Sequence, residues 1–200
     1  MNLISTLAIA MGSAWVSGIN LYACVATLGL LSRFSNLRLP GELDALTSWW
    51  VIGVAIGLYV IEFVADKVPW IDSTWDVIHT FIRVPAGAVL AAGAFGDFDR
   101  SIQVIALLLG GGLALSSHGT KAATRAVLNT LPEPVTNITA SVIEDVVAIG
   151  STILSVLFPI LLFVVVAIGL GVSIYLFSRV LRFFRQVGRK IRRLFVPATT

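Results

Sequence analysis

The sequence predicts an all-α, polytopic membrane protein of about five or six transmembrane helices, some of them interrupted or re-entrant. Of its 200 residues, 57 % are hydrophobic and only 12 % charged, where an ordinary soluble domain carries about 25 %. The mean hydropathy is +0.94. The apolar residues also fall in runs near the roughly 20 that a spanning helix needs. Lipid is therefore the expected solvent, with residues 1–178 as a single transmembrane domain and 179–200 as a basic tail.

The first apolar run, about Leu3 to Leu31, is broken by Ser17-Gly18-Ile19-Asn20 near its middle, so Asn20 is expected to face protein or water. Its start lacks the basic flank of a signal peptide and reads as a retained span. A polar loop with Arg33, Arg38 and Pro40-Gly41 follows, then a span from about Leu46 to Ala65 that opens on an aromatic pair, Trp49-Trp50. The segment Glu62 to Arg83 is charged and runs into Pro85 to Phe95, which is too short to span alone. It must borrow from the charged helix before it or form one arm of a re-entrant hairpin. Next comes a span from about Ile102 to Ser117, whose Gly110-Gly111-Gly112 would let a neighbouring helix approach closely. A second charged segment occupies Ser117 to Val146. The 33 uncharged residues from Val146 to Ser178 would make a helix of about 50 Å, so a kink or a two-helix turn is expected at Pro159. The alternation of span, charged block, proline and small-residue helix reads as a weak internal repeat, a layout used by secondary transporters.

Seven of the 14 basic residues lie after Ser178, and the remainder of the chain holds all 11 acids against seven bases. A basic cluster behind an apolar helix marks a cytoplasmic end held by anionic lipid. Arg33 and Arg38 are expected on that same side. With five spans the N-terminus is then outside. The tail is not expected to bind nucleic acid, and a homo-oligomer is compatible with the sequence. The single cysteine, Cys24, excludes an intramolecular disulfide and every multi-cysteine metal motif; it reads as a packing residue.

The two charged segments carry the chemistry. Asp72, Asp76, His79 and Arg83 are four, three and four residues apart and share one helix face, with Trp75, Ile78, Phe81 and Ile82 opposite. Asp72-Ser73-Thr74 behind Pro69 resembles an N-cap. This helix either lies at the interface with its charges in water or lines a polar cavity. His118, Lys121 and Arg125 share a cationic face. After Pro132-Glu133-Pro134, Asn137, Ser141 and Glu144 share another, with Asp145 beside it. Glu62 and Asp66 close the second span. Charges at such depth cost about 2.5–3.5 kcal/mol each on insertion scales and mark a pathway or a site. The bland alternative is that Glu144 or Asp145 pairs with Lys121 or Arg125 to lock the bundle. Asn137-Ile138-Thr139 matches a glycosylation acceptor by coincidence. No metal-ligand spacing, phosphate-binding glycine loop or nucleophile elbow occurs, so neither a metal, a cofactor nor an enzymatic reaction is expected.

The motifs SGINLY, ADKVP with Asp72, Trp75-Asp76, HTFIR, SHGTKAATR and PEP with Asn137 and Glu144-Asp145 together resemble a family of bacterial integral membrane proteins called domain of unknown function 4126. The resemblance covers Met1 to about Ser178 and leaves out the basic tail. It implies a multi-pass protein of the bacterial inner membrane and no particular reaction. The residues themselves suggest a transporter or lipid flippase. Asn20, Lys67, Arg83, His118, Lys121, Arg125, Asn137 and Ser141 would hold an anionic solute or headgroup. Glu62, Asp66, Asp72, Asp76, His79, Glu133, Glu144 and Asp145 would exchange protons. A cation carrier, a non-transporting scaffold with paired charges, and an intramembrane enzyme are the alternatives.

Overall fold

The computed structural model describes residues 2–35, 37–128 and 134–195. Six α-helices, α1 (Leu3–Ser35), α2 (Trp49–Ala65), α3 (Pro69–Ala94), α4 (Arg100–Leu128), α5 (Pro134–Leu157) and α6 (Pro159–Phe195), are joined by short connections, with a 3-10 helix at Gly41–Thr47 ahead of α2. No strand occurs among the described residues. Five helical segments are long and apolar enough to cross a membrane, and the 3-10 helix with α2 forms a further pair bent by 73°. Their outer faces are apolar: Trp50, Phe81 and Ile160 are 86 %, 80 % and 75 % exposed. Such surfaces belong in lipid, and the protein is an integral membrane protein.

Prolines set the helix starts. Pro69, Pro134 and Pro159 each open a helix, where the missing N–H costs nothing and φ is already helical. Helix α3 therefore begins before Asp72, with Val68 as its cap, and Asp72 lies within the first turn rather than capping it. The helix also passes through Pro85, so residues 85–95 complete a span with the charged segment and do not form a re-entrant arm. The expected break at Pro159 is present: Phe158 separates α5 from α6. The second span starts at Trp49, three residues later than expected, because Leu46 belongs to the 3-10 helix.

The re-entrant element is α1. Its only residue with non-helical dihedrals is Asn20, at φ −148 and ψ 98, and the chain folds back there into a V. Cys24 Sγ lies 3.8 Å from the Ser13 carbonyl oxygen, eleven residues away, whereas a straight helix would separate these residues by about 16 Å. Gly12 in the first arm packs on Ser155 and Leu162, beside the α5–α6 turn, while Gly29 in the second arm packs on Leu46 and Ile52. Both arms thus open toward the end of the bundle where α3 finishes. The tip reaches mid-bundle, where Ser17 Oγ donates to the Arg83 carbonyl at 3.3 Å and Ser117 Oγ donates to the Trp15 carbonyl at 2.6 Å. Glycines permit this: a Cβ on Gly18 would fall 2.8 Å from the His118 backbone nitrogen, and one on Gly87 would fall 3.0 Å from the Ala14 carbonyl. Of the expected glycine triplet, Gly110 makes the close helix approach, its backbone lying on Gly87 and Ala91, while Gly112 meets open space.

The number of helices after the first loop corrects the expected topology. Helices α2 to α6 run alternately between two ends, and α6 leaves at the end that carries the α2–α3 and α4–α5 connections. Arg33 and Arg38 lie at the opposite end with the 3-10 helix, where Arg33 donates to the Thr47 carbonyl at 3.2 Å and covers Trp49 at 4.6 Å. They do not share a side with the basic tail, because five helices, α2 to α6, cross between them, the run after Val146 being divided at Phe158 between α5 and α6 instead of forming one span.

Candidate functional site

The helix faces read from the sequence meet in one buried column, which runs from the basic end of the bundle to the tip of the α1 hairpin. The face of α3 that carries Asp72, Asp76, His79 and Arg83 is buried throughout, which overturns the reading of an interfacial helix with its charges in water. Ile78, Phe81 and Ile82 are exposed, as the spacing predicts, but Trp75, expected with them, is half-buried and stacks on His79 at 4.4 Å between ring centroids, because positions four apart adjoin on a helix.

Arg83 is fully buried and serves as a fork. Its Nη2 donates to Glu62 Oε1 at 2.8 Å and its Nη1 to Asp76 Oδ1 at 3.0 Å. The continuous helix, not a break at Pro85, aims it. Nη1 also lies 3.3 Å from His118 Nδ1. A guanidinium only donates, so His118 Nδ1 accepts. Its Nε2–H then donates to Thr80 Oγ1 at 2.7 Å, and that hydroxyl donates in turn to the Asp76 carbonyl at 3.0 Å. His79 has the opposite tautomer. Its Nδ1–H donates to the Trp75 carbonyl at 2.8 Å, leaving Nε2 to accept from the Tyr22 hydroxyl at 3.0 Å.

Nearer the basic end, Lys121 Nζ donates to Asp66 Oδ2 at 2.9 Å and lies 3.5 Å from Glu144 Oε2. Arg125 Nη2 pairs with Glu144 Oε2 at 2.7 Å, and its Nη1 donates to Asn137 Oδ1 at 2.5 Å. Arg125 Nε is also 4.0 Å from Asp72 Oδ1. Asn20 joins the column at the hairpin tip, where its Nδ2 donates to Asp145 Oδ1 at 2.9 Å and its Oδ1 accepts from the Ala23 N–H at 2.9 Å. Asn20 is thereby the N-cap of the second arm. Lys67 forms the rim. Its Nζ donates to the Phe63 carbonyl at 2.8 Å and lies 3.5 Å from buried Ser141 Oγ, and desolvation holds its ammonium below the usual lysine range against the attraction of Asp145 and Asp66.

Fifteen of the sixteen residues read as a site are therefore brought together; the remaining one, Glu133, lies outside the described residues. Sequence reasoning missed Tyr22, Thr80 and the serines Ser17 and Ser117. Tyr22 and Thr80 stand inside the quoted motifs SGINLY and HTFIR, but neither was counted on a helix face built around the charged residues.

The charges do not balance. Six carboxylates, Glu62, Asp66, Asp72, Asp76, Glu144 and Asp145, face three buried cations, Arg83, Lys121 and Arg125. Lys67 at the rim adds a fourth. Glu62 Oε2, Asp66 Oδ1, Asp76 Oδ2 and Asp145 Oδ2 are buried and make no hydrogen bond within the protein. Each of these carboxylates is held through its other oxygen only, and with all six ionised the described column carries an excess of negative charge, which is costly away from water. Among the described residues, no three His, Cys, Asp or Glu side chains are grouped to hold a metal.

Two apolar grooves open on the outer face. One, of about 620 Å³, lies between α4 and α6 and is lined by Gly112, Ser116, Gly119 and Ser173. The other, of about 500 Å³, lies among α1, α2 and α3 and reaches Tyr22, whose hydroxyl touches His79. Neither is lined by the carboxylates of the column.

No curated protein and no solved structure shows a significant match to the chain. A family model does match, and it spans residues 7–179, which include every described residue of the column. The chain accordingly belongs to the family described as Domain of unknown function (DUF4126).

Proposed function

We propose that this protein is a small secondary transporter that moves an anionic solute or lipid headgroup together with protons, its basic tail on the cytoplasmic side of a bacterial inner membrane. The observation that carries the reading is the excess of carboxylates over cations in a column removed from water. As the column stands, each of its three buried cations is already held by protein carboxylates, so among them an external anion has no free partner. Protonation of a carboxylate releases its guanidinium, and a phosphate-like or carboxylate group then takes the vacated hydrogen bonds. Each anionic charge enters with one proton, and buried charge is conserved. The helix broken at mid-bundle supports the same reading, since irregular backbone at membrane depth is tolerated where protein or a cavity surrounds it and is common at transporter binding sites. The seven cations after Ser178 support the sidedness.

A scaffold is the second reading, favoured by the close pairing of Arg83, Lys121 and Arg125 at 3.0 Å or less. Reconstitution separates the two. Vesicles containing the wild type and a pH-sensitive dye should acidify internally when an inward gradient of organic phosphate or carboxylate anions is imposed, and vesicles containing Glu144→Gln should not. Vesicles that conduct neither protons nor anions across a broad anion panel, made from a folded wild-type protein, would leave the scaffold.

A further inference from the structure

The break in α1 has a consequence for Lys121. In an unbroken helix the Ala23 N–H would donate to the Ile19 carbonyl; here it donates to Asn20 Oδ1 at 2.9 Å. The Ile19 carbonyl, at the C-terminal end of the first arm, is thereby freed, and it accepts from Lys121 Nζ at 3.3 Å. Four carboxylate oxygens complete the surroundings of that ammonium: Asp66 Oδ2 at 2.9 Å, Glu144 Oε2 at 3.5 Å, Glu62 Oε1 at 3.8 Å and Asp76 Oδ1 at 4.0 Å. The second oxygens of Asp66 and Glu62 lie buried without a hydrogen bond, so the shell has acceptor capacity to spare. Lys121 itself is buried, 4 % exposed.

A carbonyl at a half-helix C-terminus, set among carboxylates at mid-bundle, is the arrangement in which broken-helix transporters hold a coupling cation. The negative end of the helix dipole adds to the attraction. We propose that this shell is a monovalent-cation site whose permanent occupant is the Lys121 ammonium. The protein then needs no sodium or potassium ion: the tethered charge fills the site, and the proton is the coupling ion. This deepens the transporter reading and rests on it for the word coupling; the site itself is tested by binding.

Thermal unfolding of the full-length protein in detergent reads it, in lithium, sodium, potassium or N-methylglucamine chloride at one ionic strength. The wild type should unfold at the same temperature in all four salts. Lys121→Met removes the ammonium and leaves the oxygens. It should unfold at a lower temperature in N-methylglucamine and recover selectively in one of the small alkali cations, by about 5–10 °C when that cation is near 100 times its dissociation constant. Equal unfolding temperatures for Lys121→Met in all four salts overturn the proposal. So does selective stabilisation of the wild type by sodium or potassium, which is measurable even if the variant fails to fold. A folded wild type that moves no anion or proton, yet shows this salt pattern, keeps the site and loses the transporter.

Discussion

Substituting Arg83 and Glu62, singly and together, probes the charge imbalance most sharply. Arg83→Met deletes a buried guanidinium that holds Glu62 at 2.8 Å and Asp76 at 3.0 Å, and leaves both carboxylates with one cation fewer. Removing one partner of a buried pair costs about 3–5 kcal/mol, which for a chain of this length lowers the unfolding temperature by roughly 6–20 °C. Glu62→Gln keeps an acceptor oxygen for Arg83 and exchanges a charge-assisted hydrogen bond for a neutral one. The loss is about 1 kcal/mol, and it is offset by the removal of one carboxylate from an over-acidic column. The double variant should therefore be more stable than Arg83→Met alone, with a coupling of about 0.5–3 kcal/mol. Thermal unfolding of detergent-purified protein measures all three, and Arg83→Met should recover part of its loss as the pH is lowered and its stranded carboxylates gain protons. If Glu62→Gln costs as much as Arg83→Met, the column is balanced and the imbalance argument is wrong.

Three further outcomes follow from the geometry. Ser13→Cys should form a disulfide, or a short bifunctional crosslink, with native Cys24 inside one monomer, because Cys24 Sγ lies 3.8 Å from the Ser13 carbonyl; mass spectrometry finding no crosslink after oxidation would return α1 to a straight span. Asn20→Ala should lose a helix cap worth about 0.5–2 kcal/mol together with the hydrogen bond to Asp145, and a variant as stable as the wild type would remove Asn20 from the hinge. Gly18→Ala should lower the unfolding temperature sharply, whereas Gly112→Ala, with no neighbour within 4 Å of its Cβ position, should leave it unchanged; equal effects would contradict the packing of the hairpin tip on α4.

The parts of the site that obey helix periodicity were legible in the sequence. Asp72, Asp76, His79 and Arg83 share a face whatever the helix packs on, and so do His118, Lys121 and Arg125, so their convergence follows once both faces need partners away from lipid. The reversal at Asn20 was legible only as an interruption, because Ser17-Gly18-Ile19-Asn20 reads alike for a kink in a span and for the tip of a hairpin. What decides between them is tertiary: Gly18 fits against α4 at His118, Gly87 against Ala14, and Asn20 finds Asp145. The side assigned to Arg33 and Arg38 failed because five helices, α2 to α6, lie between them and the tail, and the apolar run after Val146 reads alike for one long span and for two helices turning at Pro159. Asp72 looked like a cap because a cap is a local signal, and Pro69 at the first helical position outranks it.

The central claim is that this buried column carries protons in place of missing cations, and infrared spectroscopy of the carboxyl region reads that directly. At neutral pH the purified wild type should show a protonated carboxylic-acid C=O band that shifts in deuterium oxide, weakens in Glu62→Gln or Asp145→Asn, and is perturbed when a transported anion is added. A spectrum with no protonated carboxyl at neutral pH, in a protein shown to be folded, would mean that all six carboxylates stay ionised and would contradict the account.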